Sequence, residues 1–220
     1  MLGRSRYSST SKSAIKKNLA DLGCIMWFPL DSDSGLKDII GKKVIGLIAS
    51  YGVSWSPAYG MFQVSLGGKN IPVADINVKW TEYDFEDQKW TSVIQAKRHN
   101  NPNVRGSASV FKTNHKNIVS HNLIMPCVDG NLTTMTGNWS DDDIHTTTIV
   151  GSDGGRKIYH NGELVIDDKA TYQFPWGCSK INIAAYDDWT AKKMVFVKNA
   201  MLFNRALTDE EVKMVNNMIR

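Results

Sequence analysis

The dipeptide Asn161-Gly162 restricts the fold of this chain more than any other feature. It sits inside IYHNGELV, Ile158 to Val165. Both central residues of a type I′ turn need positive φ, and Asn followed by Gly adopts that geometry at least cost. The flanking residues alternate apolar and polar, and a second turn, Asp153-Gly154-Gly155, lies one strand earlier. The pattern predicts three short antiparallel strands in succession between Thr146 and Ile166.

A second block begins with MVFVKNAMLFN, whose period of two predicts a half-buried strand. Thr208-Asp-Glu-Glu211 then has the form of a capping box, with acids at the positive end of the helix dipole. Val212, Val215 and Ile219 supply a narrow apolar stripe. A closing helix on a β-protein is the expectation.

Tyr159, Asn161, Gly162 and Glu163, together with Met201 to Val212, resemble the hairpin and the ending of the laminin-G-like branch of the concanavalin A-like lectin/glucanase superfamily. MWFPLDSDSGLKDIIGK resembles that family's opening strand and Asp/Gly turn, and AYGMFQVSLGGKNIPV its Gly-aromatic strand. The resemblance covers residues 24 to 220. It implies a mostly β fold, a two-sheet antiparallel jelly-roll sandwich with a short C-terminal helix. It says little about function, because the superfamily holds lectins, hydrolases, adhesion modules and virion proteins.

A chain of 220 residues with 42% hydrophobic content can bury one substantial core. The expected division is a basic, Ser-rich N-terminal arm over residues 1–22 and a jelly-roll domain over 23–220. Residues 1–17 hold Arg4, Arg6, Lys12, Lys16 and Lys17 and no acid. Taking those five from the 26 basic residues leaves 21 against 22 acidic ones, so positive charge belongs to the arm. Such an arm is too polar to pack and is expected to dock on a partner or to stay solvated, with Ile15, Leu19 and Leu22 offering a short amphipathic helix. Nucleic acid is not the expected partner of the folded domain.

The N-terminus lacks an apolar signal-peptide core and no stretch approaches a membrane span. Cys24, Cys127 and Cys178 are an odd number without metal-ligand spacing, which fits free thiols in a reducing compartment. A fold met mostly outside cells, in a chain without an export signal, points to a bacteriophage virion protein assembled in the host cytoplasm. Its expected partners are other virion or assembly proteins, reached through the arm, and surface glycans.

Candidate chemistry lies in three places. Glu82-Tyr-Asp84-Phe-Glu86 resembles the E-x-D-x-E strand of laminarinase-type glycoside hydrolases, with Glu82 as nucleophile and Glu86 as acid/base. The alternative is a solvated acidic connection after a strand that buries Ala74, Ile76, Val78 and Trp80, and that reading leaves no catalytic residues. Asp141-Asp142-Asp143 is acid-dense enough for Ca²⁺, with Asp141 and Asp143 as ligands, although adjacent acids in a turn are commonly just solvated; Asp31, Asp33 and Asp38 read as a turn. Trp139 and Trp189 each abut acids, in NWSDDD and YDDW, and with Asp187 form the expected glycan rim. The five histidines are scattered without ligand spacing along the chain. A non-enzymatic binding or structural module is the expectation, ahead of a lectin unconnected with a virion and of a glucan hydrolase.

Overall fold

A computed structural model describes residues 9–31, 34, 37–41, 45–49, 53–56, 61–65, 74–77, 89–98, 108–113, 119–122, 127–128, 131–132, 143–169, 180–186 and 194–220. In chain order the elements are α1 (Ser9–Asp21), β1 (Cys24–Phe28), β2 (Ile45–Ala49), β3 (Val53–Ser56), β4 (Met61–Ser65), β5 (Ala74–Asn77), β6 (Trp90–Arg98), β7 (Ala108–Thr113) and β8 (Val119–Asn122). They continue with β9 (Cys127–Val128), β10 (Asn131–Leu132), β11 (His145–Ser152), β12 (Gly155–His160), β13 (Glu163–Asp168), β14 (Lys180–Tyr186), β15 (Met194–Phe203) and α2 (Asp209–Ile219). The protein is mostly β, every strand pairing is antiparallel, and a short helix closes the chain.

One sheet runs β13-β12-β11-β6-β15-β4-β3, with β1 also paired to β15. The remaining strands pair in the order β10-β9-β8-β7-β14-β5-β2, and β7 and β14 pass close to β6 and β15. The expected three-strand meander is β11, β12 and β13. Asn161 (φ 53°) and Gly162 (φ 86°) both occupy the left-handed region at its second turn, as a type I′ hairpin requires.

Strand alternation sorts the first sheet into two faces. Val93, Val150, Tyr159, Met201 and Phe203 point to one side and form a single core cluster with Leu19, Leu22, Leu207, Val212, Val215 and Ile219. The other side carries Trp90, Ile94, Ile149, Ile158 and Leu202, all buried as well. Because both faces are covered, Thr146, Thr147 and Thr148 of β11 are all buried, where the sequence pattern implied a solvated face. Gly151 stands directly opposite Trp90, and a Cβ there would fall within the indole ring.

Buried polar groups on the helix side are matched in a row across four strands. Trp27 Nε1 donates to Asn199 Oδ1 (2.9 Å), Asn199 Nδ2 to Gln95 Oε1 (2.8 Å), and Gln95 Nε2 to Thr146 Oγ1 (3.4 Å). Asn199 stands at a bulge between β15 and β6.

Helix α2 starts as its sequence demands. Thr208 Oγ1 accepts from Glu211 N, and Glu211 Oε2 accepts from Thr208 N, which completes the capping box. Val212, Val215, Asn216 and Ile219 are buried. Arg205 grips Glu211 with two hydrogen bonds (2.9 and 2.7 Å) and donates through Nε to Leu22 O, so the last helix and the end of the first are joined by one guanidinium.

The N-terminal segment differs from a free arm over much of its length. Helix α1 begins at Ser9, and its Leu19, together with Leu22 just after it, enters the core cluster with Ile15 packed against them. A boundary after residue 22 therefore cuts through a packed core. Lys12 Nζ pairs with Asp31 Oδ2 at 2.6 Å, while Lys16 and Lys17 are exposed; Arg4 and Arg6 lie outside the described residues.

Candidate functional site

The residues that carry the family resemblance turn out to be structural joints. Tyr159 Oη donates to Asp209 Oδ1 (2.7 Å), which also accepts from Lys157 Nζ (2.8 Å). Asn161 O accepts from Asn216 Nδ2 at 3.0 Å, and a Cβ on Gly162 would press against that same Asn216 side chain. In the opening turn, Asp38 Oδ1 accepts from Trp27 N (2.8 Å) and Ile40 N (3.0 Å), and Asp31 Oδ1 accepts from Ser34 N (2.7 Å). Burial pushes the Asp38 carboxyl up against the pull of those backbone donors. Burial also opposes the charge on Asp31, but Lys12 and Ser34 hold its carboxyl below the usual range. Both Asp31 and Asp38 are engaged in holding a turn, the role expected of them.

None of the expected rim residues is among the described ones; of the two expected calcium ligands Asp143 is described, and it lies where the chain enters β11. Asp143 is exposed in a bend, Ile144 is 40% exposed, and His145 begins the strand half-buried. The next residue is locked: Thr146 N donates to Asn161 Oδ1 (2.9 Å) and Thr146 O accepts from Asn161 N (2.8 Å). An exposed carboxylate and an exposed apolar side chain thus lie immediately before a strand that the hairpin turn holds in place.

The strand register also brings together two residues that look unrelated along the chain. Thr147 opposes His160, so His145 lies one diagonal step from His160 on the same face. His145 Nδ1 and His160 Nε2 are 2.9 Å apart. Burial, with the charge of His145 adding to it, holds His160 below the ordinary imidazole range. The expectation that the histidines are scattered is corrected for this pair, because spacing along the sequence does not measure distance across a hairpin.

Trp139, Asp141, Asp187, Trp189, Glu82, Asp84, Glu86 and Asp33 lie outside the described residues, as do the arm residues Arg4 and Arg6. Among the described residues no three His, Cys, Asp or Glu side chains converge as a metal cluster, and no helix is long and apolar enough to cross a membrane. Cys24 is a free, buried thiol that burial pushes far up, which suits a packing role and not a nucleophile.

No protein-family model and no curated protein matches the sequence. Solved structures do match in fold. The receptor binding domain of botulinum neurotoxin D superposes with a TM-score of 0.67 at 14% identity, covering 92% of this chain and 53% of that one. The binding domain of botulinum neurotoxin DC in complex with SialylT gives 0.64 at 13% identity, with 90% and 51% covered. A Trypanosoma rangeli sialidase in complex with 2,3-difluoro-KDN gives 0.61 at 16% identity, with 90% and 33% covered. The chain spans about half the length of the toxin domains it matches. The likeness is one of fold alone, to proteins of lectin-like β-sandwich architecture.

Proposed function

We propose that this chain is a non-catalytic glycan-binding module: a two-sheet jelly-roll sandwich that offers the loop rim at the start of β11 to sugar. The entry to β11 carries the reading, since exposed Asp143 and Ile144 stand just before a strand locked by Asn161. A carboxylate accepts sugar hydroxyls, and an apolar side chain covers the C–H face of a ring. Trp139, Asp141, Asp187 and Trp189 would extend that surface, and Ca²⁺ held by Asp141 and Asp143 would order it. Support comes from two fold neighbours, one solved with SialylT and the other with 2,3-difluoro-KDN.

Glycan-array binding by the full chain tests the proposal. Binding is expected to weaken on Asp143→Ala, Trp139→Ala and Trp189→Ala, and chelation by EDTA reads out the calcium. An array without any glycan signal, or one indifferent to all three substitutions, removes the assignment. Release of free sugar that stops on Glu82→Gln would replace it with a hydrolase.

The finer role follows from charge. Arg4, Arg6, Lys16 and Lys17 place positive charge on the N-terminal side of a nearly neutral domain, which supports docking of the module on a phage particle assembled in the host cytoplasm. Co-migration with a megadalton particle on a density gradient checks it, and migration as a free protein of its own mass refutes it.

A further inference from the structure

Two imidazoles face each other across β11 and β12, and the proposed glycan rim makes no use of their contact. His145 Nδ1 and His160 Nε2 are separated by 2.9 Å, with ring centroids 5.0 Å apart and planes inclined at 34°. Between neutral rings this is one N–H···N hydrogen bond, one ring donating and the other accepting.

We propose that His145 and His160 form a cross-strand binding site for a divalent transition-metal ion of the copper(II) or nickel(II) class, ligated by His145 Nδ1 and His160 Nε2. The spacing favours that class. An ion about 2.0 Å from two nitrogens 2.9 Å apart subtends roughly 93° at the metal, close to the cis angle of a square-planar or tetragonal centre. Tetrahedral zinc would need the nitrogens about 3.3 Å apart.

The backbone fixes the pair before any ion arrives. Thr146, between His145 and the rest of β11, exchanges two hydrogen bonds with Asn161, the residue after His160, and Asn161 is held in turn by Asn216. Ligands mounted on adjoining strands lose little freedom on binding. Both residues are half-buried, and the exposed Asp143 stands two residues before His145. When the ion enters a neutral pair, the shared proton passes to the other nitrogen of the ring that carried it, and none is released. A pair carrying an extra proton must release it.

Copper(II) chloride titrated into the full chain against glycine as competitor, followed by electron paramagnetic resonance, tests the site. One ion per chain with hyperfine structure from two imidazole nitrogens is expected, and His145→Ala and His160→Ala are each expected to lower affinity about tenfold or more. The unsubstituted protein supplies an independent measurement: trace copper should broaden the imidazole resonances of His145 and His160 before those of His99, His115 and His121. Unchanged affinity in both variants overturns the proposal, as does earlier broadening at any of the other three histidines.

Discussion

Tyr159 and Asp209 are 50 positions apart in sequence and are joined by a 2.7 Å hydrogen bond from phenol to carboxylate. The bond fastens the middle strand of the meander to the first turn of the closing helix. The Tyr159 ring is buried in the core cluster, so the hydroxyl alone makes the polar contact. Tyr159→Phe should therefore keep the packing and cost about 1 kcal/mol, the usual net worth of such a bond. Urea unfolding would show a lower midpoint with an unchanged slope.

The same joint should contribute to the pH dependence of stability. Hydrogen bonds from Lys157 first and Tyr159 second hold Asp209 below the usual carboxylate range, and Arg205 does the same for Glu211. A carboxylate depressed in the folded state stabilises above its unfolded pKa, about 4, and that contribution disappears as pH falls through the folded value. Lys157, through its bond to Asp209, and Tyr159, chiefly through burial, are shifted upward. Their contributions are complete below about pH 10 and fade as pH rises beyond it. Unfolding midpoints measured across pH should trace a plateau with an acid and an alkaline limb. Asp209→Asn should flatten part of both limbs, and an unaltered profile would separate Asp209 from either.

Asn199 bridges two buried partners, accepting from Trp27 Nε1 and donating to Gln95 Oε1. Asn199→Ala leaves an indole N–H and an amide oxygen unpaired away from water. The loss should be about 2–4 kcal/mol, more than an exposed Asn→Ala change would cause. Thermal unfolding of Asn199→Ala beside Asn217→Ala, an exposed position, gives the comparison.

The meander and the α2 cap were legible because their causes are local: Asn-Gly wants one turn type, and Thr208 with Glu211 satisfies helix donors three residues apart. The pairing of His145 with His160 was also latent in the sequence. A turn that opposes Ser152 to Gly155 sets Thr147 against His160 and His145 two residues beyond on the same face, so counting across the hairpin finds what counting along the chain misses. The burial of Thr146 to Thr148 was not legible, because alternation signals a solvated face and this strand has none. The docking of α1 was equally hidden. Ile15, Leu19 and Leu22 are a sparse stripe in a Ser- and Lys-rich stretch, and only the cluster they meet in three dimensions stabilises the helix.

That docking changes how the N-terminal segment must be dissected. Leu19 is fully buried, and Leu19→Ala should cost about 2–5 kcal/mol, the range for emptying a leucine site in a packed core. Removal of residues 1–17 would strip most of α1, so lost particle association in that truncation would report unfolding as readily as lost docking. Removal of residues 1–8 alone takes away Arg4 and Arg6 and spares the helix that begins at Ser9. The shorter truncation, once its circular dichroism shows a folded chain, should lose particle association where those arginines anchor the module. Lys17→Glu, at an exposed position, should leave the melting temperature nearly unchanged. Retained association in the truncation and in the charge-reversal variant together would show that the basic segment is not the anchor.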